Sequence, residues 1–244
     1  MFKQPLVTAF TLTSILTVAF PVQAASDDIE LDPSMTQSEF NTFIDELGTA
    51  VSYNPLSPAE SVGFPGIEVG LAVTSVNIDT SVWNKAVSDL DAPSQLLVPR
   101  LMARVGLPFG FDVGLAYTNV PDSNAKILGG ELRYAIIEGS TVVPAVAILG
   151  HVSNLTGVDE VDVSTYGVDV GISKGFAIFT PYAGIGEVWI NGSQNAGLSL
   201  ADHNTSETRS YVGCRISFLP FLNMVAQADF SVVNSYSLRL NVGF

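Results

Sequence analysis

The stretch Asn234 to Phe244 reads NSYSLRLNVGF. Tyr236, Leu238, Leu240, Val242 and Phe244 share one parity, and Ser237, Arg239, Asn241 and Gly243 share the other. A period of two is the period of a β-strand, so one face of this strand meets something apolar and the other something polar. A soluble sandwich shows the same alternation. What lies on the apolar side must be read from the rest of the chain.

The first 24 residues, MFKQPLVTAFTLTSILTVAFPVQA, have one Lys near the start, an apolar run from Leu6 to Phe20 and small residues at Val22 and Ala24. They read as a secretory leader cut after Ala24. Over the whole chain charged residues make up only 14% and hydrophobic ones 47%, with a positive mean hydropathy. No later apolar run approaches the roughly 20 residues of a membrane helix. An apolar secreted chain without such helices suggests a membrane barrel. One cysteine, Cys214, cannot form an internal disulfide. A net charge of −14 argues against nucleic acid as a partner.

Thr36-Gln37-Ser38-Glu39 is a capping box, and Phe40, Phe43, Ile44, Leu47 and Val51 follow at helical spacing. An amphipathic helix is expected over about 37–53, stopped by Asn54-Pro55, packed beside the barrel or plugging it. Ten strands are expected at 66–78, 96–106, 109–119, 126–137, 141–151, 161–173, 176–189, 208–218, 221–232 and 235–244. Eight or twelve are the alternatives. The connections alternate: long around 83–94, tight at Leu107-Pro108, long at PDSNAK, short at EGS, long at SNLTGVDE, short at KG, long at 191–206, short at LP. The last, around Asn234, is short. Long loops on one rim and tight turns on the other are the pattern of outer-membrane barrels.

Alternation holds in most strands, for example Ile67, Val69, Leu71 and Val73 against Glu68, Gly70, Ala72 and Thr74. The fifth and seventh strands choose no parity, so their facing stays open, and Pro144 and Pro181 within them are read as bulge markers. Phe64, Phe109, Phe176, Phe218, Phe221 and Phe244 fall beside the tight-turn rim, and Trp83, Tyr117, Trp189 and Tyr236 near the long-loop rim, as two interfacial girdles would. The organisation expected is therefore a signal peptide over 1–24, a periplasmic or plug segment over 25–63, and an all-β, antiparallel up-and-down transmembrane barrel over 64–244.

Leader, barrel body and final aromatic-ended strand together resemble Gram-negative outer-membrane β-barrel proteins. The resemblance implies location in the cell outer membrane, with lipid, lipopolysaccharide and the barrel-assembly machinery as partners. It also implies that Tyr236, Leu238, Leu240, Val242 and Phe244 form the assembly signal. Residues 47–66, LGTAVSYNPLSPAESVGFPG, are similar to the amino-terminal part of the long-chain fatty-acid transporter family. That similarity implies a small hydrophobic ligand gated by the helix.

Enzymatic chemistry has two candidate footholds. His151-Val152-Ser153 resembles the His-x-Ser of lipid A deacylases, and Asp202-His203 resembles the acidic-His sites of omptin proteases. Neither brings further matching residues, so no catalytic residue is assigned. With two His and one Cys in the chain, no metal site and no cofactor are expected. The inward parity is more informative. All six arginines, Arg100, Arg104, Arg133, Arg209, Arg215 and Arg239, lie on the polar parity of their strands, beside Glu68, Asp112, Glu131, Asp169 and Asp229. Arg suits buried multi-donor pairing, so a mutually neutralising lumen network is expected, in a non-enzymatic barrel that is structural, surface-interacting or a narrow passage for small solutes.

Overall fold

The computed structural model describes residues 29–87, 92–120 and 123–244, so the expected leader lies outside the described residues. Helix α1 spans Gln37–Val51, strand β1 Ile67–Asn77, and a single-turn α2 Thr80–Trp83. The remaining strands are β2 (Gln95–Gly106), β3 (Phe111–Asn119), β4 (Lys126–Ile137), β5 (Ala145–Thr156), β6 (Val161–Ser173), β7 (Phe179–Gln194), β8 (His203–Leu219), β9 (Leu222–Phe230) and β10 (Ser235–Gly243). Each pairs antiparallel with the next, and β10 returns to β1 to close a ten-stranded barrel. The seam puts Leu71 opposite Leu240, and Ile67 and Phe244 exchange two main-chain hydrogen bonds of 2.9 Å. The last strand alternates because it completes the wall.

The outer face is hydrocarbon. Leu71 is 67% exposed, Leu115 59%, Ile185 58% and Leu240 52%, and their alternate neighbours point inward. Phe64, Phe109, Phe176, Phe218, Phe221 and Phe244 are all exposed along the tight-turn rim. Tyr117 and Tyr236 are exposed near the other rim, and Trp189 stacks on the exposed Tyr166 with ring centroids 5.3 Å apart. Trp83 is a correction. It is 5% exposed, packs edge-on to Phe43 and belongs to the interior, because its loop turns in over the barrel mouth.

Two strands that show no parity in the sequence find their facing here. On β5, Ala145, Ala147, Leu149, His151, Ser153 and Leu155 are buried inside; on β7, Thr180, Tyr182, Val188 and Ile190 are. The inner faces of these strands carry apolar residues because they meet the amino-terminal segment rather than water, Leu155, Val188 and Ile190 packing with α1 and Ala145 and Ala147 with Ala59. Register shifts occur at Ala135/Ile137 and Ser217/Leu219, away from Pro181, while Pro144 sits in the turn before β5. Strands β5, β7 and β8 also run further toward the long loops than expected, to Thr156, Gln194 and back to His203. Polar residues on both faces, as in His203 to Thr208, carry no hydrophobic period to announce a strand.

Candidate functional site

The lumen is occupied from rim to rim by residues 36–63. At the long-loop rim, Leu31 N donates to Glu160 Oε2 at 2.6 Å, Glu30 N to the Ala86 carbonyl at 3.0 Å, and Gln37 exchanges hydrogen bonds with the main chain of Ala201. Thr36 then caps α1 with the reciprocal bonds of a capping box, and the helix descends inside the barrel. After Val51 the chain continues as an extended strap over residues 52–63, reaching the tight-turn rim where β1 begins. Pro55 and Pro58 explain the extended form: each fixes its own φ and pushes the residue before it out of the helical region.

The helix half of the lumen is a hydrocarbon core. Phe40, Phe43 and Ile44 are fully buried, and with Leu47 and Val51 they meet Val76, Val98, Ile127, Leu155, Val163, Val188 and Ile190 of the wall. The fit is close: a Cβ at Gly192 would lie 2.3 Å from Ile44 Cγ2, and one at Gly48 2.4 Å from Ile190 Cγ2. Polar contacts fix the helix at its margins. Glu46 Oε2 accepts from Trp83 Nε1 at 2.7 Å and from Asp79 N at 3.0 Å. Lys85 Nζ lies 2.7 Å from Glu39 Oε1, and that bond together with the Thr36 N–H holds the Glu39 carboxyl down at about 2. His203 Nε2 meets Asp45 Oδ1 of α1 at 2.8 Å, so its acidic contact is with the helix and not with its chain neighbour Asp202.

The strap half is built differently. Arg100 Nη2 donates to the carbonyls of Ala50 at 2.7 Å and Ser52 at 3.1 Å, where the helix leaves its last acceptors unpaired. Arg209 donates to the Tyr53 carbonyl at 2.8 Å, Arg239 to that of Leu56 at 3.4 Å, and Arg133 to that of Pro58. Ser57 Oγ accepts from Arg104 at 2.8 Å and from Arg133 at 2.7 Å, and Glu60 Oε2 lies 2.5 Å from Arg215 Nη2. All six arginines therefore hold the strap. Leu56, fully buried, sits at φ +41°, and Tyr53, Ala72, Met102 and Ala116 pack around it.

The expected wall network is present only in part. Glu68 pairs with Arg104 at 2.6 Å, with Arg239 Nη2 4.0 Å away; Asp169 pairs with Arg209 at 2.5 Å; Glu131 Oε2 stands 3.6 Å from Arg133. Asp112 and Asp229 make no ion pair among the described residues. Asp112 accepts from Ser61 Oγ at 2.7 Å and Val62 N at 3.1 Å, and Asp229 accepts from Asn54 Nδ2 at 3.1 Å and Gln227 Nε2 at 2.9 Å. The expectation of a network neutralising itself across the lumen is corrected here: the strap supplies most of the arginines' acceptors. Carbonyl acceptors have no side-chain signature, so the sequence could signal them only through the prolines that hold the strap extended. His151, in the middle of β5, belongs to this half as well. Its Nε2 lies 3.3 Å from both Asp169 Oδ2 and Arg209 Nη2, with Tyr53 stacked over it.

Little space remains. One cavity of about 20 Å³ lies beside the end of α1, near Thr74, Arg100 and Glu207, and another of about 10 Å³ lies near Ser57, Arg133 and Tyr211. Each has room for a water molecule or less.

No protein-family model matches the chain, and no curated protein matches it. Solved structures that resemble it include the N-terminal β-barrel domain of Pseudomonas aeruginosa OprF, at 12% identity and TM-score 0.40 over 75% of this chain and 99% of that one. The KdgM porin resembles it at 9% identity and TM-score 0.37 over 72% and 99%. The attachment invasion locus protein Ail of Yersinia pestis does so at 14% identity and TM-score 0.25 over 73% and 97%. At these scores the likenesses have no bearing on which activity this lumen carries.

Proposed function

We propose that this chain is an integral outer-membrane β-barrel with no enzymatic role, kept closed by its own amino-terminal segment. Its work is structural or surface-directed rather than that of an open pore. The membrane reading rests on the belt of exposed Leu, Ile, Val and Phe around the closed wall, a surface that water would not tolerate but lipid requires. Among the described residues no helix is long and apolar enough to cross a membrane, which leaves the strands to do so. Lipid and lipopolysaccharide face the belt, and the Phe244 strand is offered to the assembly machinery. The closed reading rests on one observation: six arginines hold residues 50–60 along the lumen. The non-enzymatic reading is supported by His151, which is buried under Tyr53 and lies 3.3 Å from both Asp169 and Arg209.

Planar bilayers test this. The parent should show no steady conductance, and Arg100→Ala combined with Arg133→Ala, which removes two grips on the strap, should produce discrete openings. Large, stable steps from the parent would overturn the closed reading in favour of a porin-like channel.

A second reading has its own support in the apolar chamber around α1. If the helix withdrew, Val98, Leu155, Val188 and Ile190 would line a site for a hydrophobic small molecule. Binding of a fluorescent fatty acid by the parent, weakened by Ile190→Asn, would favour this gated-transport role.

A further inference from the structure

The direction of the thread has a consequence for topology. Residues 29–32 lie against 85–87 of the loop between β1 and β2, through the Ile29 to Val87 bridge and the bonds of Glu30 N and Asp32 N to the Ala86 and Lys85 carbonyls. Leu31 is tied to Glu160 and Gln37 to Ala201, in the β5–β6 and β7–β8 connections of the same rim. The thread is thus attached at the long-loop rim at its amino-terminal end and at the tight-turn rim, beside Ile67 and Phe244, at its other end. Leu31 and Met35 are buried in the same core as Phe40 and Trp83, so this attachment is packed as well as hydrogen-bonded.

We infer that residues 29–35, the start of the described thread, are displayed outside the cell, residues 36–63 having crossed the barrel's own lumen to carry them there. This rests on the membrane reading above, with the long loops outward. It gives the occupied lumen a purpose: the barrel is an anchor that exports and presents one segment, its own, and the strap is that segment's tail held in the passage. The arginines suit that task, because four of them bind main-chain carbonyls, which every residue of a passing chain presents.

Single-cysteine labelling on intact Gram-negative cells tests it. In a Cys214→Ala background, Ser34→Cys and Glu30→Cys report the thread's start, Ser199→Cys a long loop and Thr141→Cys a tight turn, all at exposed positions. Each variant's folding is confirmed by its heat-modifiable gel shift before it is scored. With a membrane-impermeant maleimide, Ser34→Cys and Glu30→Cys should label on intact cells to the extent that Ser199→Cys does, while Thr141→Cys labels only after the outer membrane is permeabilised. If the two thread variants follow Thr141→Cys while Ser199→Cys labels freely, the threading is wrong and the membrane reading stands. If Ser199→Cys is also protected on intact cells while Thr141→Cys labels, the orientation itself is wrong and display falls with it.

Discussion

The two halves of the lumen hold the same thread by opposite means. Around α1 the wall is Val, Leu and Ile; around the strap it is Arg, Glu, Asp and Gln. The difference follows from where each backbone's hydrogen bonds go. A helix satisfies its N–H and C=O groups internally, so its wall can be hydrocarbon. An extended strap with no sheet partner leaves its carbonyls bare, and a buried bare carbonyl costs about 1–3 kcal/mol. Each therefore needs a donor, and the guanidinium, with five N–H groups in a rigid fork, can serve the strap and a carboxylate at once. Arg209 does so, binding Tyr53 O and Asp169 together. The contrast teaches that secondary structure inside a barrel dictates the chemistry of the wall around it.

The largest effect expected from breaking this division is in the strap half. Arg209→Ala would leave Asp169, fully buried, with His151 alone and strip the Tyr53 carbonyl of its donor. Removing one partner of a buried pair costs about 3–5 kcal/mol. The barrel should unfold at a clearly lower temperature in heat-modifiability assays. Leu47→Ala in the helix half should cost about 2–4 kcal/mol of packing, yet that loss falls on α1. Amide exchange in residues 37–51 should rise while the barrel's unfolding temperature moves little. Equal shifts of barrel stability in the two variants would break the comparison.

A smaller, pH-dependent effect sharpens it. Glu39 is held at about 2 by Lys85 and the Thr36 N–H, against 4.5 for the ordinary carboxyl. A depressed carboxyl contributes stability above its unfolded value and loses it as the pH falls toward the folded one. The anchoring of the start of α1 should therefore weaken between about pH 4.5 and 2. Lys85→Ala should flatten that acid dependence, read as amide exchange in residues 37–41 across the titration. An unchanged acid profile in Lys85→Ala would remove the ion pair from the account of how the helix is anchored.

Much of the barrel is legible in the alternation of Ile67 to Val73 and Tyr236 to Val242, because an apolar outer face and a polar inner one stamp a period of two on those strands. The arginines' inward parity is legible for the same reason. The helix is legible through its capping box and apolar face, but that face looks alike whether it packs beneath a barrel or within it. Leu149 and Val188 blur the parity of β5 and β7, since an apolar interior erases the contrast between faces. The acceptors for Arg100, Arg133 and Arg239 are main-chain oxygens, and nothing in the identity of Ala50, Ser52, Leu56 or Pro58 announces them.

The number of strands also has a geometric meaning. With strands about 4.8 Å apart and tilted by roughly 40°, ten of them enclose a bore of about 10 Å radius at the backbone. That radius equals the spacing of about 8–10 Å at which packed layers of secondary structure ordinarily sit. Eight strands would close to about 8 Å, and a helix bearing Phe40, Phe43 and Ile44 would have to shed side chains to enter; twelve would open to about 12 Å and leave it loose on one side. Gly192 and Gly48 mark where even ten is tight. The circumference and the cork are thus a matched pair, so removing one hairpin from this wall would not yield a smaller barrel of the same kind but one that has to expel its own beginning.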